Sequence, residues 1–293
     1  MTYLLSICIP TKDRFYTINK NIDYLTLNIQ RLKKQGLIEL VISDNSNQIN
    51  KYLLSLSKDQ KFINYFYTKD KGLDFNVLNL VNRSNAKYIW FCQDHTRIKF
   101  EKFNEIINEL SKNKYNYFFL STKKKFPIYN FIAQDNRYIS FQNIYLNTNL
   151  VQKELFKYYY LKLIKKFNGS CLVFQHAIIY VNFNSKINKI KIFREKKSDY
   201  KYFVDINTYK KNTWSKSLKS YLTVIEKSSL MLKDILLMGN IDHILIKKIY
   251  CRNKHSFALL YQLLILQRKE MKFNFEDRFI DGIISHPTFN KFT

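Results

Sequence analysis

The first 120 residues alternate short apolar runs with longer stretches in which apolar residues recur every three or four positions. Tyr3 to Ile9 is an almost unbroken apolar run that stops at Pro10, which predicts a buried strand. From Phe15 to Lys34, residues Ile18, Ile22, Leu25, Ile29 and Leu32 fall on one face of a helix. The same alternation predicts strands at Leu37 to Ile42, Phe62 to Tyr67, Lys87 to Cys92 and Tyr115 to Leu120. Helices are predicted between them over Gln48 to Leu56, Leu73 to Val81 and Phe100 to Lys112. Ser43-Asp44-Asn45-Ser46-Asn47 is a dense turn signal. This rhythm predicts an α/β fold with a mostly parallel sheet and helices on both faces. Ligands of such sheets bind outside the carboxyl ends of the strands. The polar residues after the first, second and fourth strands are therefore the first candidates for a site.

From about Phe126 the rhythm breaks down. Lys153 to Lys166, Lys216 to Met238 and Ile241 to Lys269 carry helical spacing, whereas Asn184 to Lys211 is basic and aperiodic. Cys171 to Phe183 is short and apolar, a buried strand or a buried helix. The expected organisation is a core over residues 1–125 followed by a mainly helical region over 126–293, with no Pro- or Gly-rich linker between them.

Four polar segments stand at the predicted strand ends in a fixed order. They are Ile9-Pro10-Thr11-Lys12-Asp13-Arg14, Ile42-Ser43-Asp44-Asn45-Ser46, Lys71-Gly72-Leu73-Asp74-Phe75-Asn76 and Tyr88-Ile89-Trp90-Phe91-Cys92-Gln93-Asp94. Together they resemble the family 2 glycosyltransferases of the GT-A fold, and within them the abequosyltransferase-like transferases of bacterial surface polysaccharides. The resemblance covers about residues 3 to 98. It implies a Rossmann-like GT-A core that binds a nucleoside-diphosphate sugar, most readily a UDP-sugar. On this resemblance Pro10, Thr11, Arg14, Asp44, Lys71, Asp74, Asn76 and Asp94 would contact the nucleotide. It also implies inversion at the anomeric carbon and a divalent metal, Mn²⁺ or Mg²⁺, bridging the diphosphate.

Each position has a chemical reason and a plainer one. Arg14 can meet a phosphate with a bidentate fork or be a solvated charge at a helix start. Asp44 can pair with a base or cap the turn that follows it. Gly72 permits a tight turn opening the helix that carries Asp74 and Asn76. Asp94 emerges at a strand end, where a carboxylate can hold a metal. Here the chain departs from the family pattern, because Asp94-His95-Thr96 stands where three carboxylates are expected. His95 suits Mn²⁺ better than Mg²⁺, and Thr96 occupies the position of the main metal-binding Asp. Arg97 and Lys123-Lys124-Lys125 are cations that can hold a diphosphate instead. An altered metal site, a metal-independent enzyme and a degenerate one all stay open.

Inversion requires a base for the acceptor hydroxyl. Between Asn168 and Phe183 there is no acid, and His176 is the candidate, with a core histidine as the plain alternative. Asp135, Glu154, Asp199 and Asp205 are weaker candidates. No GxxxxGK[ST] or GxGxxG motif is present, which counts against P-loop and dinucleotide sites.

Composition narrows the partners. With 46% hydrophobic residues the chain is no disordered protein. Lys and Arg number 49 against 23 acids, a formal charge of +26 that favours polyanionic or phosphate-bearing partners. Basic segments interleaved with aromatics, such as Lys157-Tyr158-Tyr159-Tyr160-Leu161-Lys162, suit an anionic membrane interface or single-stranded nucleic acid. The glycosyltransferase resemblance favours the membrane, where a lipid-linked or lipooligosaccharide glycan would be the acceptor, and makes nucleic acid the lesser reading. Cys8, Cys92, Cys171 and Cys251 form no CxxC pair and suit a reducing cytoplasm. No run reaches the ~18 apolar residues of a membrane span, and the N-terminus reads as a strand rather than a signal peptide. The expectation is a cytoplasmic protein, peripheral on the inner face of the plasma membrane.

Overall fold

The structure is a computed structural model that describes residues 3–69, 72–120, 130–131, 137–138, 149–168, 173–184, 190–193 and 204–206. The chain divides into two compact units, and the one formed by Met1–Ile128 and Tyr138–Lys210 holds the main sheet. Its first half is β1 (Tyr3–Thr11), α1 (Phe15–Arg31), β2 (Ile38–Asp44), α2 (Lys51–Asp59), β3 (Ile63–Tyr67), α3 (Leu73–Arg83) and β4 (Ala86–Phe91). There follow β5 (Thr96–Ile98), a 3₁₀ turn at Phe100–Lys102, α4 (Phe103–Ser111) and β6 (Tyr117–Leu120). Beyond them come β7 (Asn130–Phe131), β8 (Arg137–Tyr138), β9 (Asn149–Gln152), α5 (Lys153–Phe167), α6 (Val173–Asn184), β10 (Ile190–Phe193) and β11 (Val204–Ile206).

Among the described residues the main sheet has the strand order β10-β6-β9-β4-β1-β2-β3. β1 runs parallel to both β2 and β4, β2 to β3, and β10 to β6. β9 alone is antiparallel, wedged between β4 and β6. The GT-A fold class read from the sequence is thus the observed one. The chain leaves β1 on one side through β2 and β3, then returns to its other side at β4. That reversal opens a crevice between the carboxyl ends of β1 and β4, the place where such sheets take ligands.

β4 is buried on both faces and shows how the layers assemble. Successive side chains of a strand point to opposite faces. Trp90 stacks on Phe103 of α4 with ring centroids 6.2 Å apart, and its neighbour Phe91 meets Phe156 of α5 and Phe174 of α6 at 5.1 and 4.9 Å. The apolar stripe of α1 packs with α4 on the Trp90 side, whereas α3 and α5 pack together on the other.

The structure departs from the sequence expectations where signals are short. β1 runs through Pro10 to Thr11, with Pro10 opposite Ser43 near the strand's end, where one missing N–H costs little. Cys171 to Phe183 resolves into a helix that starts at Val173. β5 and β9, three and four residues long, are too short to show a period. The helices expected at 216–238 and 241–269 lie outside the described residues.

Because Trp90 is fully buried at the centre of the sheet, Trp90→Ala is expected to cost about 3–5 kcal/mol of stability. The shift in urea midpoint on equilibrium unfolding measures it.

Candidate active site

The turn after β1 is built to aim one side chain. Asp13 adopts a left-handed backbone (φ 52°), a conformation uncommon outside glycine but several-fold enriched in Asp. Its amide donates to Ser46 Oγ at 2.6 Å, and its carboxylate accepts from the Asn47 backbone N–H at 2.9 Å. These bonds tie the β1–α1 turn to the loop after β2. They leave Arg14, the residue preceding α1, directed across the crevice towards β4.

There it meets Asp94. Arg14 Nη1 lies 2.9 Å from Asp94 Oδ1, His95 Nδ1 lies 3.0 Å from the same oxygen, and Thr11 Oγ1 donates to Oδ2 at 3.0 Å. Asp94 is nearly buried, its side chain 5% exposed against 30% for that of Arg14. Burial alone would raise its pKa. The hydrogen bond of His95 and the charge and hydrogen bonding of Arg14 outweigh burial and hold the carboxyl below its ordinary 3.8. What the pair presents outward is therefore a guanidinium, not a carboxylate.

The rest of the strand-end network is more deeply set. Asn76 of α3 donates to the Thr11 carbonyl and to Asn45 Oδ1, both at 3.3 Å, and so joins the ends of β1 and β2 to the start of α3. Gly72, with φ 103°, makes the entry to α3 that a side chain would strain. Tyr160 of α5 donates to the Asp74 carbonyl at 2.7 Å and pins that helix start from beneath.

The eleven sequence candidates are only partly brought together. Pro10, Thr11, Arg14, Asn76, Asp94 and His95 gather at the crevice, and Asp74 lies buried in the first turn of α3. Asp44 is also at its edge but is fully buried. Its Oδ1 accepts from the Ser46 N–H at 2.9 Å and from the Ser46 hydroxyl, and its Oδ2 accepts from Tyr65 at 2.9 Å. As placed, it organises the turn, the plainer of its two expected roles. Lys71 and Lys123 to Lys125 lie outside the described residues. Arg97 turns away, its guanidinium 5.3 Å from the centroid of the Tyr24 ring on α1.

His176 does not join the crevice. It sits on α6 with its ring packed 4.9 Å from both Phe167 and Tyr180, fully buried, and neither ring nitrogen has a hydrogen-bond partner among the described residues. Desolvation, helped by the charge of Lys166, lowers its pKa to about 3. A base must reach the proton it takes, and in this conformation the imidazole has no surface from which to do so. The apolar run that drew attention to His176 is the signature of a helix interface.

A metal meets the same test. Thr96 is fully buried in β5, and its hydroxyl has no partner among the described residues. Both oxygens of Asp94 accept from protein donors, His95 Nδ1 among them. Among the described residues no three His, Cys, Asp or Glu side chains converge. A hard divalent ion takes several oxygen ligands, and this donor set does not fit one. The signal that sequence reading missed is the pairing of Arg14 with Asp94, residues 80 apart in the chain.

Comparison with known proteins agrees with the crevice. The sequence profile described as "Glycosyl transferase family 2" matches residues 6–187, more than half of the chain. This chain belongs to glycosyl transferase family 2. It is a glycosyltransferase, and the family profile spans the crevice as well as α5 and α6. No curated protein sequence matches it. Among solved structures, S. aureus TarS 1-349 in complex with UDP-GlcNAc aligns with a TM-score of 0.59 at 13% identity, over 94% of this chain and 77% of that one. The mannosyltransferase PcManGT from Pyrobaculum calidifontis, in complex with GDP-Man and Mn²⁺, aligns at 0.53 and 8% identity, over 100% of this chain and 84% of that one. A further S. aureus TarS structure is matched over 44% of its own chain. At these identities the likeness shows the fold that this glycosyltransferase shares with them.

The burial of His176 carries a pH prediction. Unfolded, the ring takes a proton below about 6.5; folded, it stays neutral until about 3. Stability is therefore expected to fall as pH drops from 6.5 towards 3, because the unfolded state binds the extra proton. In His176→Leu this component of the fall disappears, as denaturant midpoints measured at pH 7 and pH 4.5 would register.

Proposed function

We propose that this glycosyltransferase moves a sugar from a nucleoside-diphosphate donor, a UDP-sugar foremost, to a glycan hydroxyl with inversion. The observation that carries the donor assignment is the Thr11–Asp94–Arg14 cluster at the β1–β4 crevice. In the transfer the acceptor hydroxyl oxygen attacks the anomeric carbon as its proton passes to a base, the bond to the diphosphate oxygen breaks, and the diphosphate leaves with the electron pair. Charge grows on that leaving group, so a fixed positive group beside it lowers the barrier. Thr11, Arg14, Asn76 and Asp94 form the wall against which the nucleotide lies, with Pro10 and Asp74 as its backbone edges. Asp44 serves the site by shaping the loop after β2, and Lys71, outside the described residues, stays a nucleotide contact on the sequence reading alone. His176 we read as a packing residue. The TarS and PcManGT structures, which hold UDP-GlcNAc and GDP-Man, support a nucleotide-sugar donor.

The division of labour assigns the donor to residues 1–125 and the acceptor to 126–293. It is a functional division, since the main sheet itself continues through β9 and β10. A glycan carried on a lipid at the inner membrane face suits the second part. Tyr158 and Leu161 of α5 are exposed, and Lys162, Lys165 and Lys166 share the helix's outer side with them. Among the described residues no helix is long and apolar enough to cross a membrane, so attachment would be peripheral.

Calorimetry with UDP, GDP, CDP and TDP tests the donor site. One diphosphate is expected to bind at micromolar Kd, and Asp94→Ala to weaken it at least about tenfold, the effect of losing a charge-assisted pair. If all four leave the wild-type protein without heat of binding, the donor assignment is wrong. For the membrane, Lys162→Glu with Lys165→Glu is expected to reduce co-sedimentation with phosphatidylserine vesicles by about tenfold or more, each basic residue contributing about 1 kcal/mol. Equal binding by neutral phosphatidylcholine vesicles would speak against an electrostatic dock.

A further inference from the structure

A departing diphosphate needs a cation, and the crevice already contains one. Three described carboxylates near it are spoken for. Asp13 is bound to Asn47, Asp44 to Ser46 and Tyr65, and Asp94 to Thr11, Arg14 and His95. A divalent ion that claimed Asp94 would have to displace Arg14 from a nearly buried carboxylate, and among the described residues no group of three His, Cys, Asp or Glu side chains converges to hold it.

The surroundings of Arg14 are made for an anion instead. The guanidinium is the more exposed member of its ion pair. It stands at the start of α1, a 17-residue helix with no acidic residue in its first turn and no side-chain cap. The positive end of that helix therefore adds to the guanidinium at the same corner. Arginine's planar fork suits a phosphate as no point charge does, and a carboxylate behind it fixes its direction.

We propose that Arg14, anchored by Asp94, takes the place of the divalent cation on the leaving nucleoside diphosphate, so that donor binding and transfer need no metal. His95, bound to the same carboxylate oxygen, positions that carboxylate. The inference rests on the donor site proposed above. It inverts the role expected of Asp94: the acid holds an arginine, and the arginine holds the diphosphate.

The test is calorimetry on the full chain with each nucleoside diphosphate and its parent nucleoside, in EDTA and again in Mn²⁺. The diphosphate that binds is expected to do so equally in both buffers. Arg14→Gln is expected to weaken it by about 10–100-fold, the range for a charged hydrogen bond, and to leave the parent nucleoside's affinity unchanged. Arg14→Lys, which keeps charge but loses the fork, is expected to fall between. Should Arg14→Gln fail to fold with Asp94 left unpaired, Arg14→Gln with Asp94→Asn is compared with Asp94→Asn alone, and the further loss of diphosphate binding is the reading for Arg14. Diphosphate binding that appears in Mn²⁺ and vanishes in EDTA overturns the proposal, as does an Arg14→Gln variant that binds like wild type. Silence from every nucleoside and diphosphate in both buffers is a different failure: it removes the donor site itself.

Discussion

A nearly buried carboxylate with three partners is the constraint around which the crevice is arranged. Removing a charge from water costs several kcal/mol, and only close, well-aligned donors offset it. Asp94 finds two of them on elements distant in sequence, Thr11 at the end of β1 and Arg14 at the start of α1, and the third in its own neighbour His95. For all three to arrive, β1 must lie beside β4 in one register and the turn at Asp13 must take its left-handed form. That turn in turn requires Asn47 and Ser46, and Ser46 is held by Asp44. The alignment of the two parallel strands, the backbone of the turn and the loop after β2 thus form one interdependent set.

Much of this was legible in the residues. The alternation of runs in the first 120 positions predicts the β-α order, and Thr11 and Asp44 are found at strand ends and Asp94 in the turn just after β4. Pattern alone does not show which polar atoms satisfy one another. Asp44 and Asp94 look alike in sequence, each an acid closing an apolar strand. Asp44 is enclosed by Ser46 and Tyr65, whereas Asp94 carries an arginine at the edge of solvent. The difference is set by contacts between residues 21 and 80 positions apart, which no local window contains. His176 illustrates the converse. Its surroundings are as apolar as the sequence suggests, and that same apolarity deprives the imidazole of the proton chemistry for which it was considered.

The short strands were illegible for a further reason. Residues 149–152 form a strand because β4 and β6 leave a gap of one strand's width between them, not because Asn-Leu-Val-Gln favours extension strongly. Tertiary context decides such segments.

The antiparallel strand β9 also dictates an order of assembly. β6 precedes it in the chain, yet β6 reaches β4 and the strands beyond only through it. While the chain is being synthesised, the four strands β1 to β4 can form a sheet, but Tyr117 to Phe119 must wait for their β9 partners until Val151 has emerged. During that interval the edge of β4, which bears Trp90 and Phe91, stands open to any other extended chain. A nascent chain stalled between these two points is therefore the species most exposed to wrongful pairing, and the arrival of four unremarkable residues closes that window.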